Sequence, residues 1–234
     1  MVAAACAPAD GVILEIGSFK GKSTVGLATV AARYGRGPVV AVDPHTAPSV
    51  TDPNLGGKRS SWDDFQTALR TAGVVAAVEA HRAFSHDLAA GWSRPIRLLW
   101  IDGDHTYAGA KADLDQFRRH VAPGGIVALH DVLNTFAGPI RVFVEELLGS
   151  DDFGPAGVVG SIGWAQYLPG AGAAHRAARQ RLARRAGRLI PFMARLERGK
   201  DLHGWTKLRY KLWRGLVPHA AIEPAAWVRA LRRA

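Results

Sequence analysis

Carboxylate and imidazole side chains follow two apolar runs of the sequence, at the points where those runs end. Such groups can bind a divalent ion or accept a proton from a substrate. Because open α/β sheets bind ligands at the carboxyl ends of their strands, the two clusters predict a functional site if both runs are strands. The groups are Asp102, Asp104 and His105 after residues 96–101, and His130 and Asp131 after residues 126–129.

A third candidate lies near the start of the chain, in the segment GVILEIGSFKGKST. Its apolar residues 12–16 predict a short buried strand that contains Glu15, and the glycines after it predict a tight turn and the start of a helix. Backbone amides at the N-terminus of a helix attract anionic groups. The residues that would shape this loop are Gly17, Ser18, Gly21 and Ser23.

The spacing of these glycines argues against two common nucleotide sites. A phosphate-binding P-loop has four residues between its first glycine and the Gly-Lys-Ser, whereas only three separate Gly17 from Gly21. A dinucleotide-binding loop has a second glycine where this chain has Phe19, at the closest approach of the pyrophosphate. What remains is a cofactor that has a ribose but no phosphate, and S-adenosylmethionine fits that description.

The elements that must position these residues alternate between apolar strands and helices, which predicts a Rossmann-like α/β fold. Residues 39–42 form a second apolar run, closed by Asp43. An acid at the end of the second strand of a βαβ unit can accept hydrogen bonds from a ribose. Residues 44–61 then predict a long loop that closes over substrate, in which we expect His45 to contact the cofactor or shape the loop.

Local patterns between the two clusters predict a helix and a turn. Residues 107–120 have apolar side chains at helical spacing, so we expect an amphipathic helix whose other face, including Asp113, points outward. We expect Asp104 to cap this helix, because an aspartate before a helix satisfies free amides. Residues 122–125, Ala-Pro-Gly-Gly, predict a turn.

Composition bounds the class of protein. The chain has 234 residues, of which 48% are hydrophobic and 21% charged, values typical of a globular protein with one main domain. Cys6 is the only cysteine, so neither an intrachain disulfide nor a cysteine-rich zinc site can form. We find no signal peptide and no run near the roughly 18 apolar residues of a membrane-spanning helix. We therefore expect a cytoplasmic protein.

The net charge of +10 is concentrated at the C-terminus. Residues 171–234 contain 16 Lys or Arg residues against three acids, and we interpret them as a basic helical extension of a catalytic domain that spans residues 1–170. Aromatic residues lie among these basic residues, a pattern that suits an anionic surface; they are Trp205, Tyr210, Trp213 and Trp227. Such a surface could be a membrane leaflet, a polyanionic glycan or RNA, and we expect peripheral contact with a membrane or contact within a homo-oligomer.

Together the motifs resemble the class I S-adenosylmethionine-dependent methyltransferases, and in particular the bacterial branch that contains metal-dependent O-methyltransferases of sugars and small molecules. The resemblance covers residues 11–168. It implies a seven-stranded, mostly parallel sheet with helices on both faces and the last strand reversed. The matching stretches are EIGSFKGKST at 15–24, VDPH at 42–45, IDGDHTY at 101–107, PGGI at 123–126 and HD at 130–131.

The resemblance also implies which residues bind the cofactor. In these enzymes the loop after the first strand holds the methionine end of S-adenosylmethionine, the acid after the second strand holds the ribose, and a later segment holds the adenine. The corresponding positions are Glu15, Gly17, Ser18, Gly21 and Ser23 for the methionine end, Asp43 for the ribose, and Ser85 for the adenine, with Asp102 as a further contact.

By the same resemblance, Asp102 and Asp131 match metal-binding carboxylates and His105 matches the general base. A divalent ion, expected to be Mg²⁺, would lower the pKa of an acceptor hydroxyl and orient it, and His105 would accept the proton. His130 departs from the pattern, because metal-dependent members often carry an acid or an amide there. Imidazole is a poorer ligand for Mg²⁺, so either His130 is a weaker third ligand, or it supports Asp131, or the metal differs, or none is bound.

The function predicted is an O-methyltransferase that acts on a sugar, an oligosaccharide or a glycosylated small molecule. Two alternatives remain. Asp102, His105 and His130 could form the two-histidine, one-carboxylate site of a non-haem iron hydroxylase, which would leave the Glu15 loop and Asp43 without a task. A nucleic-acid-binding protein that uses the basic extension is less favoured, because the rest of the chain has no basic excess.

Overall fold

The computed structural model describes residues 7–46, 60–218, 225, 226 and 229. Most of the loop predicted to close over substrate, residues 47–59, lies outside the described residues. Contacts divide the chain into two compact units, Met1–Asp104 with Ala112–Gly125, and His105–Lys111 with Ile126–Ala234.

Strands that alternate with helices build the first unit. Every residue of its three central strands is buried, which explains their continuous apolar sequences, since parallel strands are covered on both faces. The elements are β1 (Val12–Ile16), α1 (Lys22–Arg33), β2 (Val39–Val42), α2 (Trp62–Thr71), β3 (Val78–His81), α3 (Ser85–Ala90) and β4 (Ile96–Ile101).

The register of β1 brings three loops to one edge of the sheet. Ile16 at the end of β1 is paired with Val42 at the end of β2 and with Ile101 at the end of β4, and both pairings are parallel. The residues that follow these strands therefore leave the sheet at the same level. The sequence analysis predicts that the cofactor binds at this edge.

Two elements, α4 (Tyr107–Arg118) and β5 (Val121–Leu129), have residues in both units. In the second unit, β7 runs antiparallel to β5 and β6. The seven strands have the order β3-β2-β1-β4-β5-β7-β6, which confirms the predicted Rossmann-like sheet with its reversed last strand. The further elements are α5 (Ala137–Val142), which continues as a π-helical turn (Phe143–Leu147), β6 (Phe153–Val159), β7 (Ile162–Tyr167), α6 (Arg176–Gly187), α7 (Ile190–Glu197) and α8 (Gly204–Leu216).

The turn predicted at residues 122–125 was wrong, because these residues lie inside β5. A Cβ added to Gly125 would be 2.8 Å from the carbonyl oxygen of Ala122 and 3.2 Å from that of Arg97 in β4. The first of these contacts is within β5 and the second is with the backbone of β4, and glycine in a strand permits both. The sequence Pro-Gly-Gly therefore marks tight packing here.

Helix α6 holds the basic extension against the preceding part of the second unit through a buried arginine. Arg179 is 2% exposed. Its guanidinium donates hydrogen bonds to the carbonyl oxygens of Leu148, Phe153 and Gly172, and to the carboxylate of Asp151 at 2.8 Å. A planar group with five donors suits such convergent acceptors.

In the part of the chain that the structure describes, no helix is both long enough and apolar enough to cross a membrane.

We predict that Arg179→Ala lowers the free energy of unfolding by about 3 kcal/mol, because it leaves buried carbonyl groups without a donor. Urea denaturation followed by circular dichroism measures this. The matched control is Arg181→Ala, which removes an exposed arginine from the same helix and should cost less than about 0.5 kcal/mol. Equal effects of the two substitutions would refute the anchoring role.

Candidate active site

The loop after β1 is fixed by a close backbone approach that only glycine permits. Gly17 has a φ of 86°, and a Cβ there would overlap the carbonyl group of Asp102. The Gly17 amide donates to the carbonyl oxygen of Val42 at 2.9 Å, and the Asp102 amide donates to that of Ile16 at 2.8 Å. The loop is therefore held against the ends of β1, β2 and β4.

The N-terminus of α1 opens from this loop. Gly21 is its N-cap, with a left-handed φ of 82°, and its amide donates to the carbonyl oxygen of Ser18 at 2.7 Å. Ser23 lies in the first turn, which contains no acidic side chain, and within the described structure no side chain caps it. The positive end of the helix dipole is thus available to an anionic group.

Glu15 is a buried acid beside that helix terminus. It has no solvent exposure, and its Oε2 accepts a hydrogen bond from the Thr24 hydroxyl. Burial raises the pKa of Glu15 to about 7, although the hydroxyls of Ser23 and Thr24 act in the opposite direction. Among the described residues, Glu15 Oε1 and the buried Ser18 Oγ have no hydrogen-bond partner. Unpartnered buried polar atoms are costly, so the pair indicates a polar ligand.

Asp43 braces two loops. Its carboxylate accepts hydrogen bonds from the amide of Phe19 at 2.8 Å and from the amide of His45 at 2.6 Å. Both of those residues have left-handed backbones, with φ values of 44° and 51°. Each carboxylate oxygen keeps a second acceptor site, so the predicted contact with a ribose remains compatible with this bracing.

His45 is buried against α2, where it shapes the start of the loop. Its ring lies 5.0 Å from the ring centroids of Trp62 and Phe65, and its Nδ1 is 2.8 Å from the hydroxyl of Ser61. Burial lowers the pKa of His45 more than the neighbouring Asp43 raises it. His45 is therefore neutral and packed against α2. This supports the alternative that it shapes the loop, rather than the one in which it contacts the cofactor.

Ser85, predicted to contact adenine, is paired with an acid that the sequence analysis placed on the surface. Its hydroxyl donates to Asp113 Oδ1 at 2.6 Å. Asp113 is 6% exposed, so the predicted outward orientation was wrong. Burial raises the pKa of Asp113 to about 6 despite the hydrogen bond from Ser85. The burial of Asp113 could have been predicted from the sequence, because this residue is next to the apolar Leu114 and three residues after the apolar Ala110, and both of these are buried.

The second unit carries another cluster, centred on Asp131. This residue follows β5 with a left-handed φ of 56° and is 7% exposed. His130 Nδ1 lies 3.0 Å from its Oδ1, and the Asn134 side-chain amide donates to the same oxygen at 2.9 Å. Burial raises the pKa of Asp131, but the hydrogen bonds from His130 and Asn134 outweigh it and hold the pKa below its ordinary value. Asp131 is therefore ionised at neutral pH.

His105 faces that carboxylate. Its Nε2 is 3.5 Å from Asp131 Oδ2, and its ring stacks on Phe136 with 4.4 Å between centroids and 7° between planes. An ionised carboxylate beside an imidazole stabilises the imidazolium that forms when the ring accepts a proton. The stacking fixes the plane of the ring.

Sequence reasoning missed several residues around these groups. Neither Asn134 nor Phe136 was singled out, since nothing in their spacing marks them. The cap of α4 is Thr106, whose hydroxyl accepts a hydrogen bond from the Gly109 amide at 3.1 Å, the role that we had assigned to Asp104. A threonine directly before a helix is a recognised capping signal, so this position was open to prediction.

Comparison with known proteins identifies the family. A family model described as "Methyltransferase domain" matches residues 14–132, just over half of the chain. The chain therefore belongs to the methyltransferase-domain family. This confirms the predicted enzyme class, a transferase that takes the methyl group from S-adenosylmethionine.

Solved structures agree on the fold. The chain is similar to CalS11, a calicheamicin methyltransferase, with a TM-score of 0.53 and 18% identity over 70% of this chain and 75% of that one. It is similar to the O-methyltransferase NovP, with a TM-score of 0.56 and 15% identity over 68% and 72%. It is also similar to an O-methyltransferase from Bacillus cereus in complex with SAH, with a TM-score of 0.50 and 20% identity over 66% and 73%.

We predict that Glu15→Gln flattens the dependence of stability on pH. The pKa of Glu15 is about 7 in the folded chain and 4.5 ordinarily, so the folded chain binds the extra proton between these values. The stability that this provides is complete below the lower value and lost as the pH rises through the higher one. Relative to the variant, the wild type should lose up to about 3 kcal/mol, measured by urea unfolding at several pH values.

The exposed acid Glu197 provides the control for that experiment. Glu197→Gln should leave the wild-type pH profile unchanged, since the Glu197 side chain is exposed to solvent. Parallel profiles for the wild type and Glu15→Gln would contradict the burial of an ionisable Glu15.

Proposed function

We propose that this enzyme is an O-methyltransferase that methylates a hydroxyl of a sugar, an oligosaccharide or a glycosylated small molecule. The observation that carries the hydroxyl acceptor is the pairing of His105 with the ionised Asp131 at 3.5 Å, an arrangement suited to proton abstraction. The saccharide class is supported by the resemblance of the sequence motifs to sugar O-methyltransferases.

The methionine end of S-adenosylmethionine suits the groups around the first loop. Glu15 Oε1 is a buried acceptor without a partner among the described residues, and it would receive the ammonium group. The uncapped N-terminus of α1, with Gly21 and Ser23, would receive the carboxylate. Ser18 Oγ would complete the hydrogen bonds of this end of the cofactor. The unsatisfied atoms of the loop therefore match both charges of the methionine moiety.

The adenosine end suits the acceptors that follow β2 and β3. Asp43 retains lone pairs for the ribose hydroxyls after bonding two backbone amides. The Ser85 hydroxyl donates to Asp113, which leaves its oxygen able to accept a hydrogen bond from the adenine amino group. Asp102 follows β4 at the same edge of the sheet.

The metal that the family resemblance implies has suitable donors in this chain. Carboxylate oxygens are the ligands that Mg²⁺ prefers, and the chain offers two candidates, Asp102 after β4 and Asp131 after β5. When bound, such an ion would lower the pKa of the acceptor hydroxyl. We propose Asp102 and Asp131 as its ligands. His130 has its Nδ1 engaged with Asp131, so it would ligate only through Nε2, and we favour its supporting role.

His105 supplies the base. Methyl transfer to an alcohol is an in-line displacement in which the hydroxyl proton must leave as the new bond forms, and the oxygen must be aligned with the methyl group. His105 accepts that proton, Asp131 stabilises the resulting imidazolium, and Phe136 holds the ring in plane. The chain thus contributes alignment and proton removal.

Acceptor screening tests the proposal. Transfer of a labelled methyl group from S-adenosylmethionine is measured for a panel of monosaccharides, nucleotide sugars and glycosides, beside the corresponding aglycones. We expect turnover of glycosylated acceptors at a hydroxyl and none of the aglycones. Methylation only of aglycones, or only at nitrogen, would contradict the proposal.

We predict that chelation by EDTA lowers turnover at least about 100-fold and that Mg²⁺ restores it. Asp131→Asn should lower kcat by a similar factor, while its Kd for S-adenosylmethionine, measured by calorimetry, stays within about threefold of the wild type. Asp115→Asn, which replaces an exposed acid of α4, is the matched control and should be silent. Full turnover in EDTA would show that the reaction does not require a metal.

We predict that His105→Gln lowers kcat by roughly 100- to 10,000-fold, because glutamine keeps the polarity of the position but accepts no proton at neutral pH. The residual rate should lose the limb of the pH profile that reports the base. His86→Gln, at an exposed position of α3, is the control. A residual rate with the wild-type pH profile would show that His105 is not the base.

A further inference from the structure

Helix α8 carries an exposed apolar stripe. Trp205 is 80% exposed, Leu208 and Leu212 are each 56% exposed, and Leu216 is 45% exposed. Their spacing of three or four residues places all of them on one side of the helix. Large apolar side chains that form a contiguous exposed row, rather than isolated points, mark an interaction surface.

A side of α8 next to the stripe holds the helix to its neighbours. Trp213 is covered by the guanidinium of Arg188, 4.3 Å from the ring centroid, and Tyr210 lies 5.9 Å from Phe192 of α7. These two aromatic residues and Thr206 are half-buried, and no residue of α8 is fully buried. The helix is therefore attached by one face while the stripe stays exposed in the part of the chain that the structure describes.

Positive charge borders the stripe. Helix α8 has four basic residues, Lys207, Arg209, Lys211 and Arg214, and its sequence contains no acid. Arg209 also lines an open groove of about 540 Å³ together with Arg188, Arg195 and the aromatic Phe192 and Trp213, and no acid is among the described residues that line it. A groove of guanidinium groups is suited to phosphate.

We propose that α8 docks on the surface of an anionic lipid bilayer, with its apolar stripe at the acyl-chain boundary and the arginine groove at the lipid phosphates. An apolar row flanked by cations is the pattern of a helix that lies in the plane of a membrane interface. Self-association through the stripe is disfavoured, because it would bring two acid-free, fourfold-basic helices together. This proposal does not depend on the identity of the methyl acceptor.

Co-sedimentation of the full chain with vesicles tests the proposal. The vesicles contain phosphatidylcholine alone or with about one third phosphatidylglycerol. We expect binding only to the anionic vesicles, weakened by added salt. Leu208→Ser with Leu212→Ser should reduce the partition coefficient at least tenfold, and Arg209→Gln with Lys211→Gln about 25-fold, since each basic residue near such a surface contributes about fivefold.

Matched controls change the same chemistry elsewhere. Val75→Ser removes an apolar side chain that is 48% exposed in the first unit, and Arg33→Gln with Arg70→Gln removes two exposed charges there. Both should bind within about twofold of the wild type, and circular dichroism confirms that each variant is folded.

Three results would overturn the proposal. The wild type could fail to bind anionic vesicles, or the α8 variants could bind as well as their controls. Alternatively, light scattering could show an oligomer that Leu208→Ser with Leu212→Ser dissociates, without vesicle binding, which would make the stripe an interface between copies of this chain.

Discussion

The approach of Gly17 to the backbone of Asp102 is the constraint on which the first loop depends. The absence of a side chain at Gly17 lets the loop lie against β4 while its amide bonds the carbonyl oxygen of Val42. The loop then turns at Gly21 into α1 and leaves the helix N-terminus open. Asp43 fixes the outer side of the same loop through the Phe19 amide. A larger residue at position 17 would displace all of these groups together.

Two buried acids have opposite electrostatic environments. Burial raises the pKa of Glu15 to about 7, whereas hydrogen bonds from His130 and Asn134 overcome burial and keep the pKa of Asp131 low. The environment of Glu15 favours binding of a cationic group, such as an ammonium group. The second provides a permanent negative charge beside His105. Because the pKa of each acid is set by its own surroundings, one chain can provide both a binding group and a group for proton transfer.

The strands and the loop residues were predictable because they are local. Buried parallel strands such as β1 appear as continuous apolar runs, and the glycine that follows β1 announces its turn. Contacts between residues that are distant in the chain could not be predicted from the sequence. Nothing near Asp113 indicates that Ser85, 28 residues away, donates to it, and nothing near Arg179 reveals its carbonyl acceptors. The Pro-Gly-Gly segment of β5 was misinterpreted, since Gly125 serves close packing.

Calorimetric titration of the full chain with S-adenosylhomocysteine at pH 7, in two buffers of different ionisation enthalpy, would measure both the affinity of the first loop for the ligand and the protons released on binding. We expect one site per chain with a micromolar Kd. We also expect release of a fraction of a proton, because Glu15, with its pKa of about 7, must ionise fully when it pairs with the ligand ammonium. A folded chain that binds no ligand, or that binds it without releasing a proton, would contradict the assignment of this loop to the methionine end of the cofactor.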